Sequence, residues 1–493
     1  MTNQDHWFNM AKQLYEDEVA EPVFWLGDDR HYLKAKKIFG DNVIKMLDAV
    51  HKPHKIDNIS YDGEYIDFFS SKNYSIAKER CFKMMDRIDI YYQLSRLDRE
   101  VYFNNLVIWS LKKINQINPD VFVCVENPHS HAQYLIFEIC NYLGIPTFKF
   151  NNWMPVPLIF LENIITGERI KKVSNIKSPK LENLIEQNIK DFINQVIEKK
   201  EKFELFYMES QRKNNNFIRK FKNYILNGIT KDLKEIRFNT LNYLRSRYDP
   251  INPYNITFLT RRKIQRKKKL NLKKELNKVV ENFNYDDKYV YFPLHFEPER
   301  TTLPDGKEYH DQFLALVKLR DFLPPEIRIV VKEHPSQFLL TDRGPKGRSP
   351  LFYNLIKNIK NLTIVDTNTN SMELLLSSEF ITTITGSVAL EASILGKKTL
   401  TFGDTWYNGC PNTIKWSDLL TYEEFKKEDI KSADQILNFL FNLKNDYSIP
   451  VFQNFSQSKL FKDYNNLDFQ NFQNESLVLF MKDFFENKLY NNK

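Results

Sequence analysis

The 493-residue sequence contains no uninterrupted apolar run of the roughly 18 residues that a membrane-spanning helix requires. Its opening stretch, MTNQDHWFNMAKQLYEDE, lacks the basic-then-apolar layout of a secretory leader, and the two absences lead us to expect a cytoplasmic chain. Cysteine is sparse. Cys81, Cys124, Cys140 and Cys410 stand far apart in apolar contexts and form no C-x-x-C pair, which argues against a disulfide framework and against a zinc site. No D-x-D tripeptide occurs, so the paired carboxylates that hold magnesium on a sugar diphosphate are missing, and neither a metal nor another cofactor is expected. The absence of P-loop, G-x-G-x-x-G and G-x-S-x-G patterns argues against NTPase, dehydrogenase and α/β-hydrolase readings. Phosphate charge must then be met by amides, His, Lys and Arg. No internal repeat with a period of about 20–50 residues is present.

What is present suits two domains. The length exceeds what one core usually organises, and 42% hydrophobic with 14% aromatic residues supply apolar surface enough for more than one. The formal charge of +8 is unevenly placed: residues 211–274 hold 19 Lys+Arg against 3 Asp+Glu, a local +16 that leaves the remainder at −8. Segregated positive charge fits an anionic partner such as a membrane face, a lipid-linked phosphate, a charged glycan or a nucleic acid, and equally a solvated helical face. Aromatic residues are interleaved there (Phe217, Phe221, Tyr224, Phe238, Tyr243, Tyr248), yet no recognised RNA or DNA motif accompanies them. Helical core packing explains the rings more simply, and a nucleic-acid partner is not favoured.

Short apolar runs alternate with helical patterns over residues 1–170, which predicts a layered, Rossmann-like α/β domain with strands at 23–26, 43–47, 121–125 and 146–150. Residues 131–143 have helical spacing and end at Gly144, so the last two strands and this helix make a βαβ unit. Residues 171–285 read as a helical, basic insertion or connector. A second α/β pattern fills 286–415, with strands at 289–293, 327–332, 362–365, 380–385 and 398–402 separated by helix-length sequence, the spacing of a doubly wound parallel sheet. Residues 416–493 are again helical and can return to the N-terminal domain.

Ligands of open parallel sheets bind beyond the carboxyl ends of the strands, so the loops there carry the candidate chemistry. Thr385-Gly386-Ser387 follows the strand FITTIT and opens a helix: glycine permits close backbone approach, the hydroxyls and first-turn amides suit phosphate, and Glu391 one turn on suits ribose hydroxyls. The alternative makes Ser387 a plain N-cap and Glu391 a solvent-facing residue. The strand VVK runs into Glu333-His334-Pro335, where Lys332 and His334 can neutralise or protonate a leaving phosphate, or His334 is structural. In the loop LHFEPERTT, Arg300 can clamp a phosphate or sugar carboxylate, with Glu297 or Glu299 holding it or acting directly. In the first domain, VFVCV ends in Glu126-Asn127-Pro128-His129. Glu126 is a candidate general base or anomeric-carbon carboxylate with His129 as helper, against a helix N-cap network. Asp28, in Asp28-Asp29-Arg30-His31 after VFWL, carries the same ambiguity.

The combination of Lys332-Glu333-His334-Pro335 with TGSVALEASILGKKTLTFGD some fifty residues later resembles the donor half of bacterial capsule polysaccharide glycosyltransferases. The nearest group is that of the retaining Kdo transferases, and the HP pair also resembles that of CMP-sialic acid transferases. The likeness covers 289–410, and VENPHSHAQYLIFEICNYLGIPTF resembles the acceptor half more loosely. The resemblance implies a GT-B enzyme, two Rossmann-like domains facing a cleft, in which His334 contacts the donor phosphate and Ser387 sits beside it. Enzymes with the HP motif also carry an acidic D/E-D/E-G element. This sequence departs from that pattern, offering Asp62-Gly63-Glu64 and Glu126. The TGS…E pattern also resembles UDP-N-acetylglucosamine 2-epimerase.

The expectation is therefore a metal-independent glycosyltransferase moving a sugar from a nucleotide-sugar donor, CMP-linked in preference to UDP-linked, to a surface glycan or lipid-linked glycan. Residues 211–274 would meet an anionic membrane surface at the inner face of the cytoplasmic membrane. The rivals are a nucleotide-sugar epimerase or hydrolase and a non-catalytic assembly protein that binds a nucleotide or nucleic acid.

Overall fold

The computed structural model describes residues 5–51, 63, 65–87, 89, 94–153, 156–174, 178–199, 229–246, 258–298, 302–339, 344–418, 421–451 and 469–488. It is a mixed α/β structure with parallel sheets, in two compact units. Residues 1–83, 100–192 and 437–493 form unit 1, and residues 84–99 and 193–436 form unit 2. The chain therefore enters each unit more than once.

Unit 1 contains two small sheets. Strands β1 (Trp25–Gly27) and β2 (Val43–Lys45) pair in parallel. Strands β3 (Phe122–Cys124) and β4 (Thr147–Asn152) also pair in parallel, but β5 (Leu158–Asn163) runs antiparallel to β4. The sequence reading did not anticipate β5: LIFL at 158–161 is a buried strand that folds straight back on its predecessor, without a crossover helix. Helices α1 (Asp5–Glu16), α2 (Tyr32–Phe39), α3 (Arg96–Ile117) and α4 (His131–Tyr142) accompany these strands. Helix α4 begins at Ser130, whose hydroxyl accepts the Gln133 amide at 3.3 Å, and the chain leaves it through Gly144 at φ +74°, a left-handed conformation that glycine adopts without strain.

Unit 2 is built on a six-stranded sheet. In chain order its strands are β6 (Tyr289–Pro293), β7 (Arg328–Lys332), β8 (Leu362–Val365), β9 (Phe380–Thr383), β10 (Thr399–Thr401) and β11 (Thr413–Lys415), all parallel. Across the sheet they lie β8-β7-β6-β9-β10-β11, the 3-2-1-4-5-6 order of dinucleotide-binding folds. Such a sheet is covered on both faces, and β6 shows it. Val290 and Phe292 enter one apolar cluster and Tyr289 and Tyr291 another, each at 2% exposure or less. Burying each of these side chains contributes about 1.5–3 kcal/mol.

Two further helices bear on the site. Helix α5 (Phe258–Val279) seats Leu272, Leu276 and Val279 in the unit 2 core and leaves Lys263, Arg266 and Lys267 exposed, so the basic cluster is one face of a packed helix. Helix α6 (Val388–Ile394) follows β9. The last described segments belong to unit 1: strand β12 (Ser448–Pro450) pairs antiparallel with β5, and Phe480, Met481 and Phe484 of α7 (Phe469–Lys488) share a cluster with Trp7, Met10 and Leu14 of α1. Among the described residues no helix is long and apolar enough to cross a membrane.

Candidate functional site

The sheet order of unit 2 has one reversal, between β6 and β9, the position at whose carboxyl edge open sheets of this order bind ligands. Two of the three predicted loops flank it: Leu294-His295 after β6 and Thr385-Gly386-Ser387 after β9. The third, Glu333-His334 after β7, lies one strand further, roughly 5 Å across the sheet.

His295 joins the two sides of the reversal. Its Nε2 lies 2.9 Å from Thr383 Oγ1 and accepts the Thr385 amide at 3.3 Å. The Thr383 hydroxyl oxygen accepts the Gly386 amide at 3.3 Å, leaving its proton to donate to the imidazole. A Cβ built on Gly386 would stand 2.8 Å from that hydroxyl and 3.4 Å from His295 Cε1, so the loop closes this tightly because residue 386 is glycine. Tyr407 donates to the Gly386 carbonyl at 2.5 Å, and burial pushes its phenol well above the ordinary tyrosine range, so it remains a donor. The hydroxyl of Thr385 is buried with no partner in the protein.

These contacts amend the sequence reading of the loop. The Thr385 and Gly386 amides, expected to face phosphate, donate within the protein to His295 and Thr383. Ser387 stands at the N-cap position of α6, but its hydroxyl makes no capping bond and donates instead to Glu391 Oε1 at 3.1 Å. Glu391 is 1% exposed, so it is neither solvent-facing nor open to a ribose.

The loop after β7 rests on a buried ion pair. Arg348 Nε donates to Glu333 Oε2 at 2.9 Å and its Nη2 to Glu333 Oε1 at 3.3 Å, and neither residue is more than 6% exposed. Tyr353 donates to the same carboxylate at 2.7 Å, and the His334 amide does so at 2.7 Å. A third Arg348 donation, Nη2 to the His295 carbonyl at 2.8 Å, ties the loops after β6 and β7 together. Burial opposes the charge on Arg348, but Glu333 outweighs it and holds the guanidinium above its ordinary pKa. The His334 ring accepts the Ser336 amide on Nδ1 at 3.2 Å, which places the proton of the neutral ring on Nε2. Its centroid is 6.3 Å from that of Phe296.

Lys332 is 6% exposed, and its ammonium donates to the Thr369 carbonyl and to Ser371 Oγ, bracing the loop after β8. The carboxylate of Glu297 accepts Thr302 Oγ1 and Gln312 Nε2, each at 3.1 Å, and so supports the β6 loop from beneath. Arg300, Glu299, Asp62 and Glu64 lie outside the described residues.

In unit 1, the loop after β3 places Glu126 Oε1 3.8 Å from His129 Nδ1, and that nitrogen is 2.8 Å from the Asn127 carbonyl. The N-cap residue of α4 is Ser130. Asp28 Oδ1 accepts the His31 amide at 3.2 Å and lies 3.2 Å from His31 Nδ1, while His31 Nε2 reaches Asp5 Oδ1 at 2.8 Å and the ring stacks on Phe8. Asp28 and Glu126 line one cavity within unit 1. Among the described residues no cluster of three His, Cys, Asp or Glu is disposed to hold a metal ion.

Sequence reasoning missed His295, Thr383, Arg348 and Tyr353 as parts of the site. His295 stood in the quoted loop LHFEPERTT. Nothing in one sequence pairs Arg348 with Glu333.

Comparison with known proteins follows the fold. No family model and no curated protein matches the chain. Solved structures do. Thermosulfurimonas dismutans KpsC, beta Kdo 2,7 transferase, is 17% identical over 43% of this chain and 67% of that one, with a TM-score of 0.25. The beta Kdo 2,4 transferase of the same KpsC is 12% identical over 62% and 75%, with a TM-score of 0.26. UDP-GlcNAc 2-epimerase from Methanocaldococcus jannaschii is 14% identical over 85% and 96%, with a TM-score of 0.20.

Proposed function

We propose that the chain is a glycosyltransferase that takes a nucleotide-activated sugar, CMP-linked in preference to UDP-linked, and transfers it to a capsule or other surface glycan. The observation that supports this most is the β6–β9 reversal of the parallel sheet, where His295 joins the two loops and the buried Thr385 hydroxyl has no protein partner. In this reading the Thr385 hydroxyl and His334 Nε2–H meet the departing phosphate, and Arg300 adds charge. Donors held in place by the Arg348–Glu333 pair stabilise developing negative charge without reorganising, a contribution of several kcal/mol in a closed site. Lys332 acts by fixing the neighbouring loop. Glu126, with His129, and Asp28 are the carboxylate candidates on the acceptor side. The exposed basic face of α5 supports attachment to an anionic membrane surface.

Thermal unfolding in the presence of CMP, UDP, GDP and their sugars tests the donor, because a ligand that binds the folded state raises the melting temperature. His334→Ala should lower turnover at least a hundredfold while the donor still binds, and unchanged turnover would remove His334 from the mechanism. The rival reading, an epimerase or hydrolase that needs no acceptor, is separated by product analysis with and without glycan.

A further inference from the structure

The two sheets of unit 1 run β2-β1 and β3-β4-β5-β12. Set edge to edge at β1 and β3, they repeat the plan of unit 2, in which the chain steps outward on either side of one reversal. Among the described residues, however, β1 pairs only with β2 and β3 only with β4. A cavity of about 490 Å³ lies between the two strands, lined by residues 23–28 on one side and 121–126 on the other.

Two observations mark this gap as a ladder not yet made. The first is burial. Strands β6 and β9 hold the corresponding place in unit 2, and residues 289–292 and 380–383 are buried, as cover on both faces requires. Residues 25–27 of β1, and Phe122 and Val123 of β3, are only half-buried. The second is the direction of the backbone. The Phe122 amide donates to the Pro146 carbonyl at 2.9 Å, on the β4 side. Alternate residues of a parallel strand turn their N–H and carbonyl to alternate edges, so those of Val123 point away from β4, to the open edge. Polar backbone beside apolar side chains is stabilised by pairing. Residues of helices α1, α3, α4 and α7 already wall the cavity, so closing it needs no new element.

We propose that this structure shows the open form of unit 1, and that β1 and β3 pair in parallel in a closed form, joining the two sheets and eliminating the cavity. Pairing sets the strands about 4.8 Å apart. Asp28 and Glu126, each just past the carboxyl end of its strand, then stand at neighbouring strand ends, as the loops after β6 and β9 do in unit 2. Closure is thus the step that assembles the two carboxylates. The inference concerns strand pairing within unit 1 and holds whatever that unit binds.

Disulfide trapping tests it. Leu26→Cys, in a chain that also carries Cys81→Ala, Cys140→Ala and Cys410→Ala, leaves Cys124 of β3 as the only possible partner. A disulfide needs Cα atoms within about 7 Å, so under diamide the bond should form at least about tenfold faster than from Ile44→Cys, the β2 partner of Leu26 one strand further out. Trp25→Cys and Gly27→Cys cover the other registers, peptide mass mapping identifies the bond, and melting curves report the fold. Hydrogen exchange of the parent chain needs no substitution and decides the matter if the cysteine variants do not fold. The Val123 amide should exchange within about a hundredfold of the Cys124 amide, which faces β4. The proposal is overturned if folded variants at all three β1 positions fail to cross-link faster than Ile44→Cys, or if Val123 exchanges more than about a hundredfold faster than Cys124.

Discussion

Replacing Arg348 with methionine isolates the contact that organises the unit 2 loops. The substitution keeps an unbranched, buried side chain but removes both donations to Glu333 and the one to the His295 carbonyl. Glu333 is 0% exposed, so its carboxylate remains in the interior with the Tyr353 hydroxyl and the His334 amide as donors. Breaking a buried pair from one side costs about 3–5 kcal/mol, because the surviving charge is uncompensated. At roughly 2–4 °C per kcal/mol for a unit of this size, the melting temperature should fall by about 6–20 °C. The double variant Arg348→Met with Glu333→Met removes both charges and should regain most of that loss, although Tyr353 then lacks its acceptor. Urea unfolding of the two single variants and the double variant gives the coupling directly. A coupling below about 1 kcal/mol, with no recovery in the double variant, would refute the claim that the pair holds these loops.

Other perturbations read separate parts of the molecule. Burial lowers the His6 pKa to about 4, with Asp5 opposing, and its Nε2 is buried without a partner. The unfolded chain therefore binds the proton more readily between about pH 4 and 6.5. Stability from the neutral ring is complete above the unfolded value and lost as pH falls through about 4, a change on the order of 3 kcal/mol. The stability difference between the parent and His6→Phe should shift by that amount between pH 7 and pH 4, and a flat difference would contradict it. Gly386→Ala should reduce nucleotide binding about tenfold or more, since the added methyl meets the Thr383 hydroxyl at 2.8 Å and displaces the β9 loop. Titration of a nucleotide into that variant checks it, and parent-like affinity would show that the loop yields.

Local chemistry made much of unit 2 readable. The apolar runs YVYFP and RIVVK lie between polar turns, and they are β6 and β7. Gly386 and His334 mark loops because glycine and strand-terminating proline leave a trace in any single sequence. The antiparallel return of β5 was hidden, because four consecutive buried residues, LIFL, look alike in a parallel or an antiparallel partner.

The sequence by itself determined that the chain builds α/β layers and that chemistry-bearing loops follow the strands of its second half, since hydrophobic period and turn residues are local properties. Tertiary structure alone decided which side chains meet. His295 reaches Thr383 across 88 positions and Glu333 finds Arg348 across 15. The amides of residues 385 and 386 turn inward, and Asp28 and Glu126 come to one cavity. Each depends on strand order, and strand order follows from the packing of whole layers, which no local window contains.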